Sequence, residues 1–253
     1  MLRFMQAIME LIDKQEYISW KLPKDWTIIL TSNPDDGNYL VQTLDVAQQT
    51  RFVSVTMKWD ADCWAEWAEK QSIDGRAINF VLLNPEIVTP RVNPRSITTF
   101  FNCISSIKNF EENLPLIQMI GEGSVGGEVA TLFTSFINNR LDKLVTPKEM
   151  FLGADNATVK TKLLDAITIN GDMSTYRADI ASILTTRLIN FAVNYADNNP
   201  ITKTNIDRLI YLVKEPIFTD DLKYHLVKKV LNGNKTKFQQ LLFDTSVQEY
   251  ATK

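Results

Sequence analysis

The segment 21–52, KLPKDWTIILTSNPDDGNYLVQTLDVAQQTRF, constrains the fold of this chain more than any other. Its apolar run TIIL has no polar interruption, the pattern of a strand covered on both faces as in a parallel sheet. Pro23 closes an alternating stretch at 17–22, so a strand is expected over 26–31. Asn33-Pro34 and Asp36-Gly37 are turn dipeptides, and a second short strand, RFVSVTM, is expected over 51–57. Ahead of this region, Met5, Ile8, Met9 and Ile12 share one face of an N-terminal helix.

The rest of the chain reads as helical. Asp60 is placed to cap a helix DADCWAEWAEKQ, and a second helix over 77–83 ends at Asn84-Pro85. Pro94 suits the first turn of a third helix, PRSITTFFNCISSI. Beyond Phe110 come a Gly-rich segment, a helix around 125–139, a Pro-containing loop, and helices near 174–196, 203–214, 220–231 and 235–243. No internal repeat is evident.

With 253 residues and 45% hydrophobic content the chain can bury substantial cores. A net charge of -3 and a pI of about 5.4 argue against a broad electrostatic nucleic-acid surface. Cys63 and Cys103 are far apart, with no C-x-x-C spacing, and are expected to be buried thiols of a reducing compartment. Glu10 and Asp13 interrupt the N-terminal apolar run, which argues against a signal peptide, and no run reaches bilayer length. The expectation is a cytoplasmic protein with no membrane partner and no metal site of its own.

The order of strand, T-S-N-P, L-D-x-A and R-F resembles the C-terminal portion of an AAA+ ATPase, close to the MoxR type. The fold class this implies is an α/β remnant of an AAA+ core over 1–57, then a helical lid over 58–109 and a helical C-terminal extension over 110–253. The resemblance covers the first half by motif order and is weaker over the extension. It gives Asn33 the sensor-1 role, orienting the attacking water from a strand end. It gives Arg51 the role of an arginine finger directed at the neighbouring subunit's nucleotide, where a planar guanidinium suits phosphate oxygens. The lid arginine called sensor 2 matches Arg95 in Asn93-Pro94-Arg95. Arg91, in Thr89-Pro90-Arg91, is a rival; Arg95 is preferred because the long helix begins there.

The resemblance implies ATP and Mg2+ as ligands, held mainly by a phosphate loop and an acidic strand that this sequence does not contain. The chain alone is therefore expected neither to bind ATP tightly nor to hydrolyse it. The implied activity is ATP-driven remodelling of a client protein by a ring oligomer, a hexamer in this family, often with a von Willebrand A-type partner. Two alternatives share these residues: a nucleic-acid motor or clamp-loader-like ATPase, against which the acidic balance weighs, and a non-catalytic helical interaction module.

Taken without the resemblance, the same residues have plainer readings. Asn33 would cap a turn with Pro34, and Arg51 would be a surface residue before an edge strand. Asp35 and Asp36 belong to a DDG turn rather than to a catalytic pair. The segment GEGSVGG at 121–127 is followed by Glu128, where a phosphate loop needs Lys and Ser or Thr, so it reads as a Gly-rich helix entry. His225, the single histidine, lies among apolar helical positions. Trp59, Trp64 and Trp67 could form an aromatic platform, although core packing explains the i, i+3 pair.

Overall fold

The computed structural model describes residues 2–33, 41, 46–139, 141, 144–153, 155–169 and 171–251. The turn residues Asp35 and Asp36 lie outside the described residues. The chain divides into two compact units, Met1–Lys58 and Trp59–Lys253.

The N-terminal unit opens with α1 (Leu2–Lys14), followed by a small hairpin of β1 (Glu16–Tyr17) and β2 (Trp20–Lys21) and, further on, α2 (Val46–Gln49). The hairpin pairs antiparallel, Glu16 with Lys21 and Tyr17 with Trp20. The strands expected over 26–31 and 51–57 do not form: both segments have irregular backbone. A buried parallel strand takes its hydrogen bonds from neighbours distant in sequence, and the hairpin is the only sheet among the described residues. Without a ladder, the β-type side chains remain in solvent. Ile29 is 81% exposed and Val53 94% exposed, and Trp26, Val55 and Met57 are exposed as well.

The C-terminal unit is helical. Asp60 caps α3 (Ala61–Lys70), its carboxylate accepting the Cys63 N–H at 2.8 Å. Asp74 caps α4 (Gly75–Leu83), which ends at Asn84 with Pro85 opening a 3-10 turn. The third expected helix is α5 (Pro94–Ile104), with Asn93 and Ser96 in a reciprocal capping box and Pro94 in the first turn. These helices share a core with α6 (Leu114–Ser124) and α7 (Gly127–Asn138), so packing runs through the change of sequence character near Phe110. Phe80, Phe100, Phe101 and Phe133 fill it largely edge to face, Phe80 and Phe133 having ring centroids 4.9 Å apart at 82°.

The thiols depart from expectation: Cys63 and Cys103 are both exposed. The helical period explains this, because α3 turns Trp64, Ala65 and Ala68 inward and α5 turns Phe100, Phe101 and Ile104 inward, leaving each cysteine on the outer face. The Gly-rich segment also differs from a simple helix entry. Gly121 and Gly123 lie inside α6, and Gly126, at φ 85°, makes the turn into α7. A Cβ on Gly121 would sit 2.8 Å from Ala130 Cβ and 3.3 Å from Ala130 Cα, so the glycine sets the close approach of α6 to α7. Gly121→Val is expected to destabilise this unit by about 1–3 kcal/mol through overpacking, read as a lower urea midpoint at unchanged m-value.

A second core is built from α8 (Pro147–Leu152), α9 (Asn156–Ile167), α10 (Ala178–Asn198), α11 (Lys203–Lys214), α12 (Asp220–Gly233), the short α13 (Lys235–Phe238) and α14 (Thr245–Ala251). Of these, α8 falls in the expected Pro-containing loop. Its signal is present as Thr146-Pro147-Lys148-Glu149, a capping box in which the Glu149 N–H donates to Thr146 Oγ1 and Glu149 Oε2 accepts the Thr146 N–H.

The Lys162 ammonium, followed by the backbone and hydroxyl of Thr146, holds the Glu149 carboxyl down to about 2 from an ordinary 4.5. A depressed carboxylate stabilises the fold above its unfolded value and loses that contribution as pH falls through the folded value. The pair is half exposed, so screening limits it. Glu149→Gln is expected to cost about 1 kcal/mol near pH 7. The gap from wild type should close as the pH falls from 4.5 toward 2, followed by denaturant titration at stepped pH.

Candidate functional site

The residues singled out by sequence fall in both units. Asn33 is exposed, in the irregular segment after residue 26 rather than at a strand end. Arg51 follows the short α2 in a turn in which Thr50 N–H donates to Val46 O and Phe52 N–H to Gln49 O. Its Nε donates to both carboxylate oxygens of Asp13, at 2.8 and 3.0 Å. Both partners are more than a third exposed, so the pair contributes at most about 1 kcal/mol.

In the C-terminal unit, Arg91 occupies the tip of a tight loop in which Thr89 and Val92 exchange backbone hydrogen bonds at 3.0 and 3.1 Å. Arg95 instead projects from the first turn of an eleven-residue helix and is exposed. It has no hydrogen bond or ion pair among the described residues. Its own backbone N–H also has no acceptor among the described residues, whereas Ser96 N–H is taken by Asn93 Oδ1 at 3.0 Å and Ile97 N–H by Asn93 O at 3.1 Å. Beside it lies an open groove of about 370 Å³ between α3 and α5, lined by Trp64, Trp67, Pro94, Arg95, Thr98 and Thr99. Trp64 is 6% exposed and Trp67 44%, so only part of the aromatic row is core. The Trp64 indole N–H is covered and has no acceptor among the described residues, whereas Trp59 donates to Pro85 O at 2.9 Å.

Two buried arginines were missed by the sequence reading. Arg187, on α10, donates from Nε to Glu69 at 2.9 Å and from Nη1 to Asn79 at 2.9 Å, joining α10 to α3 and α4. A Cβ on Gly75 would meet the Arg187 guanidinium at 2.7 Å, so this glycine makes room for it. The signal was a lone cation inside the apolar run IASILTTRLINF. Arg208, on α11, donates to the carbonyls of Gly153 and Asp155. Burial pushes its guanidinium below the ordinary arginine value. It lines a recess of about 260 Å³ with Asp155, Asn156, Thr204 and Asp207, and its bonds to main-chain carbonyls give it a structural role there.

No group of three or more His, Cys, Asp or Glu side chains among the described residues could hold a metal ion. Burial, reinforced by Lys229, pushes His225 below its ordinary value, so it is neutral at neutral pH. The charge of Asp60, with its hydrogen bond, pushes the Cys63 thiol up, away from a reactive thiolate. No helix among the described residues is long and apolar enough to cross a membrane.

No family model matches the chain, and no curated protein or solved structure matches it either.

Proposed function

We propose that this chain is the C-terminal part of a MoxR-like AAA+ ATPase that couples ATP hydrolysis to remodelling of a client protein within a ring oligomer. The observation that carries the reading is the state of the N-terminal unit. Its two segments with the composition of buried strands lie in irregular backbone with Trp26, Ile29, Val53, Val55 and Met57 in solvent. Soluble domains rarely leave so much apolar surface uncovered without a partner for it, and unpaired β-type segments take their ladders from other strands. Strands carrying a phosphate loop and a metal-binding acidic residue would provide that cover.

In this proposal Asn33 acquires its fixed position only when its segment pairs. Arg51 leaves Asp13 for a neighbour's nucleotide at small cost, and Arg95 reaches the phosphates from the lid. ATP and Mg2+ would be held mainly by the additional strands. The test is whether the reading frame continues upstream of Met1 and whether the longer chain then turns over ATP. Hydrolysis that depends on Arg51 and on an upstream G-x-x-x-x-G-K-[ST] loop supports the proposal. Absence of such a loop, or of turnover when it is present, rejects it.

The irregular backbone at 26–33, with Asn33 exposed, favours one second reading: a non-catalytic helical interaction module in which the AAA+ features are degenerate. The same turnover measurement separates the two.

A further inference from the structure

We propose that the groove between α3 and α5 is a docking site for an acidic linear segment of a partner protein, one that places a large apolar side chain next to a carboxylate. Three observations converge on that chemistry. The floor and walls are apolar, with the exposed Trp67 indole at one side. Arg95 stands at the groove with neither an ion pair nor a hydrogen bond among the described residues, and no carboxylate lines the groove to neutralise it. Trp64, part of the same wall, holds a buried indole N–H without an acceptor, a state that folded proteins seldom tolerate.

A carboxylate answers the charge. A planar guanidinium binds its two oxygens side by side, and the open N–H of Arg95 at the head of α5 adds a donor with the favourable end of the helix dipole behind it. The neighbouring apolar side chain covers Trp67, as aromatic anchors are covered at interfaces. Size and charge favour a short peptide element over other occupants. A groove of about 370 Å³ admits one or two side chains, and a single unpaired cation with a single free amide cannot offset the several charges of a triphosphate.

Peptide docking needs only the present chain, and it meets the ATPase proposal at one point, Arg95, which both engage. Failure of peptide binding would leave that proposal intact, and failure of ATP turnover would leave this one intact.

The test is selection of a phage-displayed library of random linear peptides on the full chain. Enriched peptides should share an acidic residue beside a large apolar one. In fluorescence polarisation, Arg95→Glu should weaken the selected peptides about tenfold or more, and Trp67→Ala should do so to a similar degree. Both side chains are exposed, so helical circular dichroism should be unchanged. Thr99→Glu, which adds a carboxylate to the exposed rim, should reproduce the loss and guards against a side effect at Arg95. No enrichment, enrichment of acid-free sequences, or binding indifferent to these substitutions would overturn the proposal. So would Arg95-dependent binding of a fluorescent ATP analogue that displaces the peptides, since the groove would then be a nucleotide site.

Discussion

Replacing Arg187 by Met is expected to destabilise the helical unit by about 3–5 kcal/mol, the cost of stranding a buried charge. The Arg187 and Glu69 side chains are 7% and 14% exposed, so Glu69 cannot recover its hydration without opening the junction of α3, α4 and α10. Asn79, itself buried, loses its partner at the same time. Desolvating two charges offsets much of what their pairing supplies. Glu69→Leu combined with Arg187→Met should therefore recover most of the loss, although neither single change is mild. Gly75 gives a second check. Gly75→Ala should destabilise the wild type, because its Cβ would meet the guanidinium at 2.7 Å, and should be nearly neutral in the Arg187→Met background. Urea titration of the six proteins in these two cycles gives both couplings directly. Additive effects, or a cost for Arg187→Met below about 1 kcal/mol, would mean that the pair is solvated in solution.

The helices were legible because their signals are local. Asp60, the Asn84-Pro85 stop and Asn93-Pro94 mark ends that the chain adopts as read, since a cap or a proline acts within one turn. Helix α8 carried an equally local signal in its capping box, and was obscured because Pro147 suggests a loop when Thr146 and Glu149 are not weighed with it. Helix α6 was obscured by Gly121 and Gly123, which serve interhelical contact and helix continuation rather than a turn.

What failed was non-local. A parallel strand is specified by neighbours elsewhere in the chain, so TIIL announces a preference that the described residues do not satisfy. The burial of Arg187 depends on Glu69 and Asn79, more than a hundred positions away, and no periodicity reveals that pairing. Of the candidate site, the helix-start position of Arg95 was legible from Pro94. The groove beside it was not, because it requires α3 and α5 to meet.

Under the proposed ATPase function, Arg51→Ala in a chain that carries the phosphate loop is expected to lower ATP turnover by about 10³-fold or more while leaving nucleotide affinity nearly unchanged. An arginine supplied across a subunit boundary acts on charge that spreads in the transition state, so its loss falls on kcat. The pair with Asp13 does not oppose this role. Both groups are exposed, and giving up this ion pair costs at most about 1 kcal/mol, small beside the roughly 4 kcal/mol that a thousandfold rate effect represents. Asp13→Asn should accordingly leave turnover within a few-fold of wild type, a control that separates a finger from a structural ion pair. Asn33→Ala should likewise slow hydrolysis more than binding, whereas Arg95→Ala should impair both, because in the proposed ATPase the lid contact would be present with bound ATP as well as during chemistry. Mixing Arg51→Ala subunits with subunits defective in the phosphate loop should restore activity at interfaces that combine an intact finger with an intact loop. Weakened ATP binding with undiminished saturated turnover in Arg51→Ala, or no rescue on mixing, would place this arginine outside the reaction.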